Sequence, residues 1–251
     1  MIDTVEPTTK LLRRDLAQLA QGISMEEARF LVDLYYDLQK PRIGSGEQIR
    51  SLESTAKPHQ VLDWMYANQQ AQERTIKAAL DEWTDQDPAG RWAKSIVGIG
   101  PVLSAGLLAS IDIERAPHVG HVWGFAGLGA NQKWEKGQKR PWNARLKTLC
   151  YKIGESFVKL QNNPGDFYGK LFVERKALLH HQNDQGAFML AASAALERRK
   201  IGKDTIAYAH YSKGLLPDAH IHARARRWVV KLFLSHFHYV LYFERYGQAP
   251  P

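Results

Sequence analysis

Ser95-Ile-Val-Gly98-Ile-Gly100-Pro101-Val-Leu-Ser104-Ala-Gly-Leu-Leu108 is the stretch that decides the fold of this chain. It reads as the end of one short helix, a tight turn and the start of a second. Gly98 and Gly100 allow the turn, because a residue without Cβ takes positive φ at little steric cost. Pro101 suits the first turn of the second helix, where its missing N–H would have had no partner. Val102, Leu103, Ala105, Leu107 and Leu108 give that helix an apolar side. A turn of this build directs main-chain N–H groups outward at a helix N-terminus, where the macrodipole adds partial positive charge. A phosphate is the natural ligand of such a corner. The spacing therefore predicts a helix-hairpin-helix that grips a nucleic-acid backbone without reading bases. The plainer reading is that Gly98-Ile-Gly100 merely joins two core helices.

Downstream, Val119, Val122, Trp123 and Ala126 predict a helix that Gly127-Leu-Gly129 ends. Next comes a loop, Asn131-Gln-Lys-Trp-Glu-Lys-Gly-Gln-Lys-Arg-Pro-Trp142, in which basic and aromatic residues interleave. From Lys133 to Lys152 the basic residues Lys133, Lys136, Lys139, Arg140, Arg145, Lys147 and Lys152 face a single acid, Glu135. Such charges neutralise phosphates, and Trp134 or Trp142 offers a stacking surface. The two rings are read as tucked into the core, the charges as nucleic-acid contacts. Leu146, Leu149, Cys150, Ile153, Phe157 and Leu160 form the clearest amphipathic helix. Phe167, Leu171, Leu178 and Leu179 continue as another, broken at residues 183–186, and an Ala-rich helix spans residues 187–200. The last helix starts at Asp218, after Pro217. Its buried side is read as Ile221, Ala225, Trp228, Val229, Leu232, Phe233, Phe237 and Val240. Opposite them, His220, Arg224, Arg227, Lys231, Ser235, His238 and Tyr242 recur at steps of three and four and align a polar, mostly basic stripe. The stripe fits a phosphate backbone or an ordinary wet face equally.

Upstream, Leu12, Leu16 and Leu19 mark a first helix that Gly22 ends. Ser24 with Glu27 is a capping box for the next, whose buried side is read as Phe30, Leu31, Leu34, Tyr35 and Leu38. Pro41 is expected to stop it, since proline removes a donor and clashes in a helix interior. That leaves residues 41–46 as a loop and 47–53 as a short helix. After Pro58 a long polar helix carries Val61, Leu62, Met65, Ile76, Leu80 and Trp83 on a sparse apolar side, as an arm packed on the core. The acidic, turn-rich residues 85–90 mark the domain boundary.

The chain has 251 residues, 44% of them hydrophobic, which supports a real core, and its formal charge of +8 suits an anionic partner. Its one cysteine, Cys150, excludes a disulfide framework and a Cys-rich zinc site within one chain. It is read as a buried structural thiol. Two histidine pairs, His220/His222 and His236/His238, sit two apart. Residues i and i+2 on a helix face different sides, and there is no H-E-x-x-H, so no metal and no cofactor is assigned. His180-His181 at a helix end has a dipole explanation. There is no P-loop and no G-x-S-x-G elbow. Ser95, Ser104 and Ser156 lack an obvious base in sequence. The N-terminal Met-Ile-Asp-Thr-Val-Glu-Pro lacks the pattern of a secretion signal, and no apolar run reaches bilayer length. A cytoplasmic protein with no membrane partner is expected, in a bacterium or a phage-infected cell.

Ile96-Val-Gly98-Ile-Gly100-Pro, Ala105, Trp123-Gly-Phe-Ala-Gly-Leu128 and Asn143-Ala-Arg-Leu146 together resemble the C-terminal domain of IS110-family (IS116/IS110/IS902) transposases. The tail Ala219-His-Ile-His-Ala-Arg-Ala-Arg226 also looks like short proteins of that family. The good match covers residues 90 to 160. Full-length members pair this domain with a RuvC-like domain that carries metal-binding acids, and the C-terminal domain supplies a serine nucleophile. Here the N-terminal part reads as helices, and Lys136-Gly137 stands where the family has its serine and glycine. A lysine cannot replace an alcohol nucleophile in a link to DNA. The resemblance therefore implies DNA binding.

The expected fold is all-α: an N-terminal helical arm over residues 1–88 and a transposase-like domain with a helix-hairpin-helix over 89–251. The expected function is DNA binding, to duplex or branched DNA, by a mobile-element or phage protein. The main-chain N–H groups from Gly98 to Val102, Ile99 and Gly100 included, hold one phosphate. Lys94, Lys133, Lys136, Lys139, Arg140 and Arg145 hold its neighbours, joined by Arg224, Arg227 and Lys231 of the last helix. The rivals are a recombinase or nuclease subunit whose partner supplies the metal site, and a protein-binding adaptor. A backbone-gripping hairpin does not separate DNA from RNA, and a homodimer through the arm stays open.

Overall fold

A computed structural model of the chain describes residues 13–54, 60–129, 134–198 and 200–251. Among these residues it contains eleven α-helices and no strand, as the helical periodicity predicts. The chain divides into two compact units. The first runs through Ser95 and takes in Ile99–Ala116 and Val240–Gln248; the second comprises Ile96–Gly98, Pro117–Tyr239 and Ala249–Pro251. No helix of the described residues is long and apolar enough to cross a membrane.

The first unit starts with α1 (Arg13–Ala20), ended by a turn in which the Gly22 N–H donates to the Leu19 carbonyl. Leu12 lies outside the described residues. Leu16 and Ala20 are buried while Leu19 is exposed. Helix α2 (Met25–Glu53) opens with the predicted capping box of Ser24 and Glu27. It does not stop at Pro41. It continues through the proline to Glu53, so the expected loop and separate short helix are one helix. Contacts across to α3 (Gln60–Asp85) hold that second half in place. Arg42 Nε donates to Glu73 Oε1 at 2.6 Å, and Tyr66 packs against Gly46. The buried side of α2 is also displaced from the one read in the sequence. Phe30 is 64% exposed, and Ala28 and Val32 point inward instead.

Val32, Ile76, Leu80, Val102 and Ala105 form the core of this unit, with Leu31, Leu34, Tyr35, Leu38 and Trp83 packed around it. The core thus draws on α2, α3 and α5 (Pro101–Ser110). Val61 and Met65, at the other end of α3, are exposed. Helix α4 (Pro88–Ser95) starts from Asp87, whose Oδ1 accepts the N–H groups of Ala89 and Gly90 at 2.7 and 3.2 Å. It lies against α5 at a very close approach. A Cβ on Gly90 would sit 2.3 Å from the Thr84 carbonyl oxygen and 2.8 Å from Leu108. Ser104 Oγ, fully buried, donates to the Gly90 carbonyl at 3.1 Å. Helix α5 is therefore apolar and buried around nearly its whole circumference, not along one side.

The second unit holds α6 (Val119–Phe125), α7 (Ala144–Leu160), α8 (Phe167–Asp184), α9 (Met189–Arg198), α10 (Ile206–Tyr211) and the part of α11 (Asp218–Tyr246) up to Tyr239. Asn143 caps α7 by accepting the N–H groups of Arg145 and Leu146. Of the predicted apolar side of α7, Leu146, Leu149, Cys150, Ile153 and Phe157 are buried and Leu160 is half-buried; burial pushes the Cys150 thiol up to about 12. Phe157, Tyr168 and Phe233, from α7, α8 and α11, meet ring to ring with centroids 4.8 to 5.5 Å apart. On α8, Leu179 is buried but Phe167 and Leu178 are exposed, and Gly186 ends the pattern with φ +78.

Candidate nucleic-acid interface

The turn between α4 and α5 takes positive φ at Gly98 but not at Gly100. Gly98 takes φ +94, and Gly100 is extended at φ −92, ψ 178 as the N-cap of α5, with Pro101 at the first helical position. No side chain caps α5 there. The surroundings differ from a bare corner. Ile99 and Val102 are buried as whole residues, main chain included, while Gly100 between them is exposed. Ser156 Oγ donates to the Gly98 carbonyl at 2.7 Å, which ties residues 96–98 to α7 within the second unit.

Lys94 is not free to meet a phosphate. Its ammonium contacts the Asp81 carboxylate, lies 2.7 Å from Asp85 Oδ1 and donates to the Asp81 carbonyl at 3.0 Å. Its side chain is only 15% exposed. Burial opposes the charge, but the two carboxylates outweigh it and hold the lysine above its ordinary pKa.

The basic loop is non-helical over its described part, residues 134–143; Lys133 lies outside the described residues. Lys136, Lys139, Arg140 and Arg145 are all exposed. Lys136, Lys139 and Arg140 form no ion pair with a carboxylate among the described residues. The tryptophans are not core residues as read. Trp134 is 38% exposed; its Nε1 donates to the Gln138 carbonyl at 2.7 Å and its ring lies under Arg140, 5.1 Å from guanidinium to centroid. Trp142 is half-buried because its ring packs on Gly127, where a Cβ would come within 2.9 Å.

On α11 the basic stripe is largely covered. Arg227 is exposed, but Arg224 and Lys231 are half-buried. Arg224 lies over the Phe188 ring at 4.6 Å and Lys231 over Trp123 at 3.9 Å. His238, placed on the wet side by its spacing, is 2% exposed. The helix is enclosed on more sides than a two-faced pattern allows, since neighbours from α6 and from the segment before α9 pack on the stripe.

Two more residues join these cations: Lys147, which the sequence places in the basic run but not in the contact set, and Arg175, which it does not single out. Lys147, on the first turns of α7, sits over Trp142 with Nζ 3.9 Å from the ring centre. Burial first, then the charges of Arg227 and Arg140, lower its proton affinity. Arg175 of α8 sits 5.1 Å over Trp228, with Nε buried and without a hydrogen-bond partner. Arg224 is lowered by burial, then by Arg227 and Arg175. Arg140, Lys147, Arg227, Arg224 and Arg175 thus influence one another, and none is paired with a carboxylate among the described residues.

No known family, curated protein or solved structure matches this chain. Four of the five cations rest on aromatic rings. An aromatic face attracts a cation without cancelling its charge, so the positive charge remains available to an external anion. Among the described residues no group of three or more His, Cys, Asp or Glu side chains is arranged to hold a metal ion. Ser95 Oγ, like the hydroxyls of Ser104 and Ser156, is bonded to a main-chain carbonyl, that of Trp92 at 2.7 Å.

Proposed function

We propose that this chain is a DNA-binding protein that holds the phosphate backbone through the basic face of its second unit. The observation that carries this reading is the exposed loop bearing Lys136, Lys139 and Arg140 without acidic partners, beside cations seated on rings. Net charge of +8 supports it. So does the resemblance of residues 90–160 to the C-terminal domain of IS110-family transposases, which suggests a mobile element or a phage as its setting. Within the first unit, the start of α5 at the exposed Gly100, which no side chain caps, offers a phosphate contact of its own. Lys94 drops out of the contact set, because Asp81 and Asp85 occupy it.

The test is a gel shift of the full chain with duplex, single-stranded and branched DNA and with structured RNA, repeated over a range of salt. Each neutralised phosphate contributes a slope of about −0.9 to log affinity against log salt. Binding across sequences, with a steep negative slope that charge reversal at Lys139 and Arg140 flattens by about two, is the expected result. Retention that ignores salt, or no retention at low salt, would overturn the reading. Preference for RNA over every DNA would reassign the partner.

A further inference from the structure

Resting on that reading, we propose that Lys147, Arg227 and Arg140 form one discrete phosphate-binding site where three separate elements converge, taking a phosphate of the nucleic-acid backbone. Two hydrogen bonds fix the convergence. Trp123 Nε1 donates to the Lys231 carbonyl at 3.0 Å, which ties α6 to α11 one turn beyond Arg227. The Asn143 N–H donates to the Phe125 carbonyl at 2.9 Å, which ties the end of the basic loop and the start of α7 to the end of α6. The residues carrying Arg140, Lys147 and Arg227 are thereby assembled around α6.

The lysine is held in advance. Its stem is pinned on Gly127, where a Cβ would come within 2.9 Å of Lys147 Cδ, and its ammonium lies over Trp142. A long side chain fixed this way loses little freedom when a ligand arrives. Arg227 is exposed and brings a planar fork suited to two oxygens of one phosphate. Arg140 enters from the loop, against the Trp134 ring. Folding has gathered like charges and supplied none of the described carboxylates to balance them. Like charges at close range repel in proportion to their proximity, and a bound phosphate relieves that repulsion. Consistent with this, Lys147 gives up its proton more readily than an ordinary lysine, through burial and then the neighbouring Arg227 and Arg140.

Two readouts on the full chain test the site: thermal stabilisation by pyrophosphate, and the salt slope of duplex binding. Lys147→Met keeps the packed stem and removes the charge; Arg227→Gln alters an exposed position, so at least one variant folds. Lys40→Gln, exposed in the first unit, is the control. Pyrophosphate is expected to raise the melting temperature of the unaltered chain and of the control, and to do so far less in either variant. Each variant is also expected to lose about one unit of salt slope. Folded variants that keep the pyrophosphate shift and the full slope, while Lys139→Glu reduces the slope, would overturn the site. A pyrophosphate shift lost in both variants, with no duplex retained by the unaltered chain, would keep the phosphate site and overturn DNA as its source.

Discussion

Tyr168 Oη lies 2.8 Å from His236 Nδ1, joining α8 to α11 beside the rings of Phe157, stacked on Tyr168, and Phe233, edge-on to it. The histidine is held below its ordinary pKa by burial. It is therefore neutral in the folded chain at a pH where the unfolded chain has begun to take up a proton. Its contribution to stability is complete above the ordinary histidine value of 6.5 and is lost as pH falls through the lower folded value. Melting temperature is expected to drop from neutral pH toward about pH 5. In His236→Phe that part of the drop should disappear, as calorimetry across pH would show.

Lys94 is predicted to be a structural residue. Replacing it by Met leaves Asp81 and Asp85 without their shared cation and should cost about 1 kcal/mol, the upper range for exposed pairs. Urea unfolding measures that loss. The salt slope of DNA binding is expected to stay the same, in contrast to Lys139→Glu.

At Gly98 the backbone stands at φ +94, and a Cβ would lie 3.0 Å from Ser156 Oγ. Gly98→Ala is expected to destabilise by about 1–2 kcal/mol from the backbone alone. Ser156→Ala removes the hydroxyl that bonds the Gly98 carbonyl and should cost about 1 kcal/mol. Because the two sites touch, a double-mutant cycle should give a coupling distinct from zero.

Pro41 sits inside α2 and is exposed. Pro41→Ala restores a donor to the helix and removes the ring's clash. It is expected to raise stability, by up to about 3 kcal/mol, the interval between the two residues in a helix interior. A lower melting temperature would mean that α2 depends on the bend a proline imposes.

Signals confined to a few neighbouring residues were readable without the structure. Ser24 with Glu27, and Gly98 in the α4–α5 turn, do what their side chains, or lack of one, dictate locally, whereas Gly100 is extended. Pro41 misled because its local cost is outweighed by partners on α3, Glu73 and Tyr66, which no spacing rule reveals. The loop cations were legible as a run of like charge. Lys147 was legible as part of that run but not as a partner of Arg227, and Arg175 was not legible at all, since both relations depend on α7 and α8 meeting α11. The stripe on α11 misled for the same reason: a period of 3.6 says which residues share a side, not how many sides the rest of the chain will cover. Trp134 shows the reverse error, a large ring left in solvent because a cation and a nearby carbonyl satisfy it.

Helix α5 has almost no wet side, with Val102 and every residue from Ser104 to Ala109 buried. Its amide protons in the second half cannot reach solvent by fraying or by a local bend. They are released to deuterium only when the first unit opens as a whole, so the protons of Leu107 and Leu108 act as the clock of global opening, and the slowest exchange in that unit should be theirs.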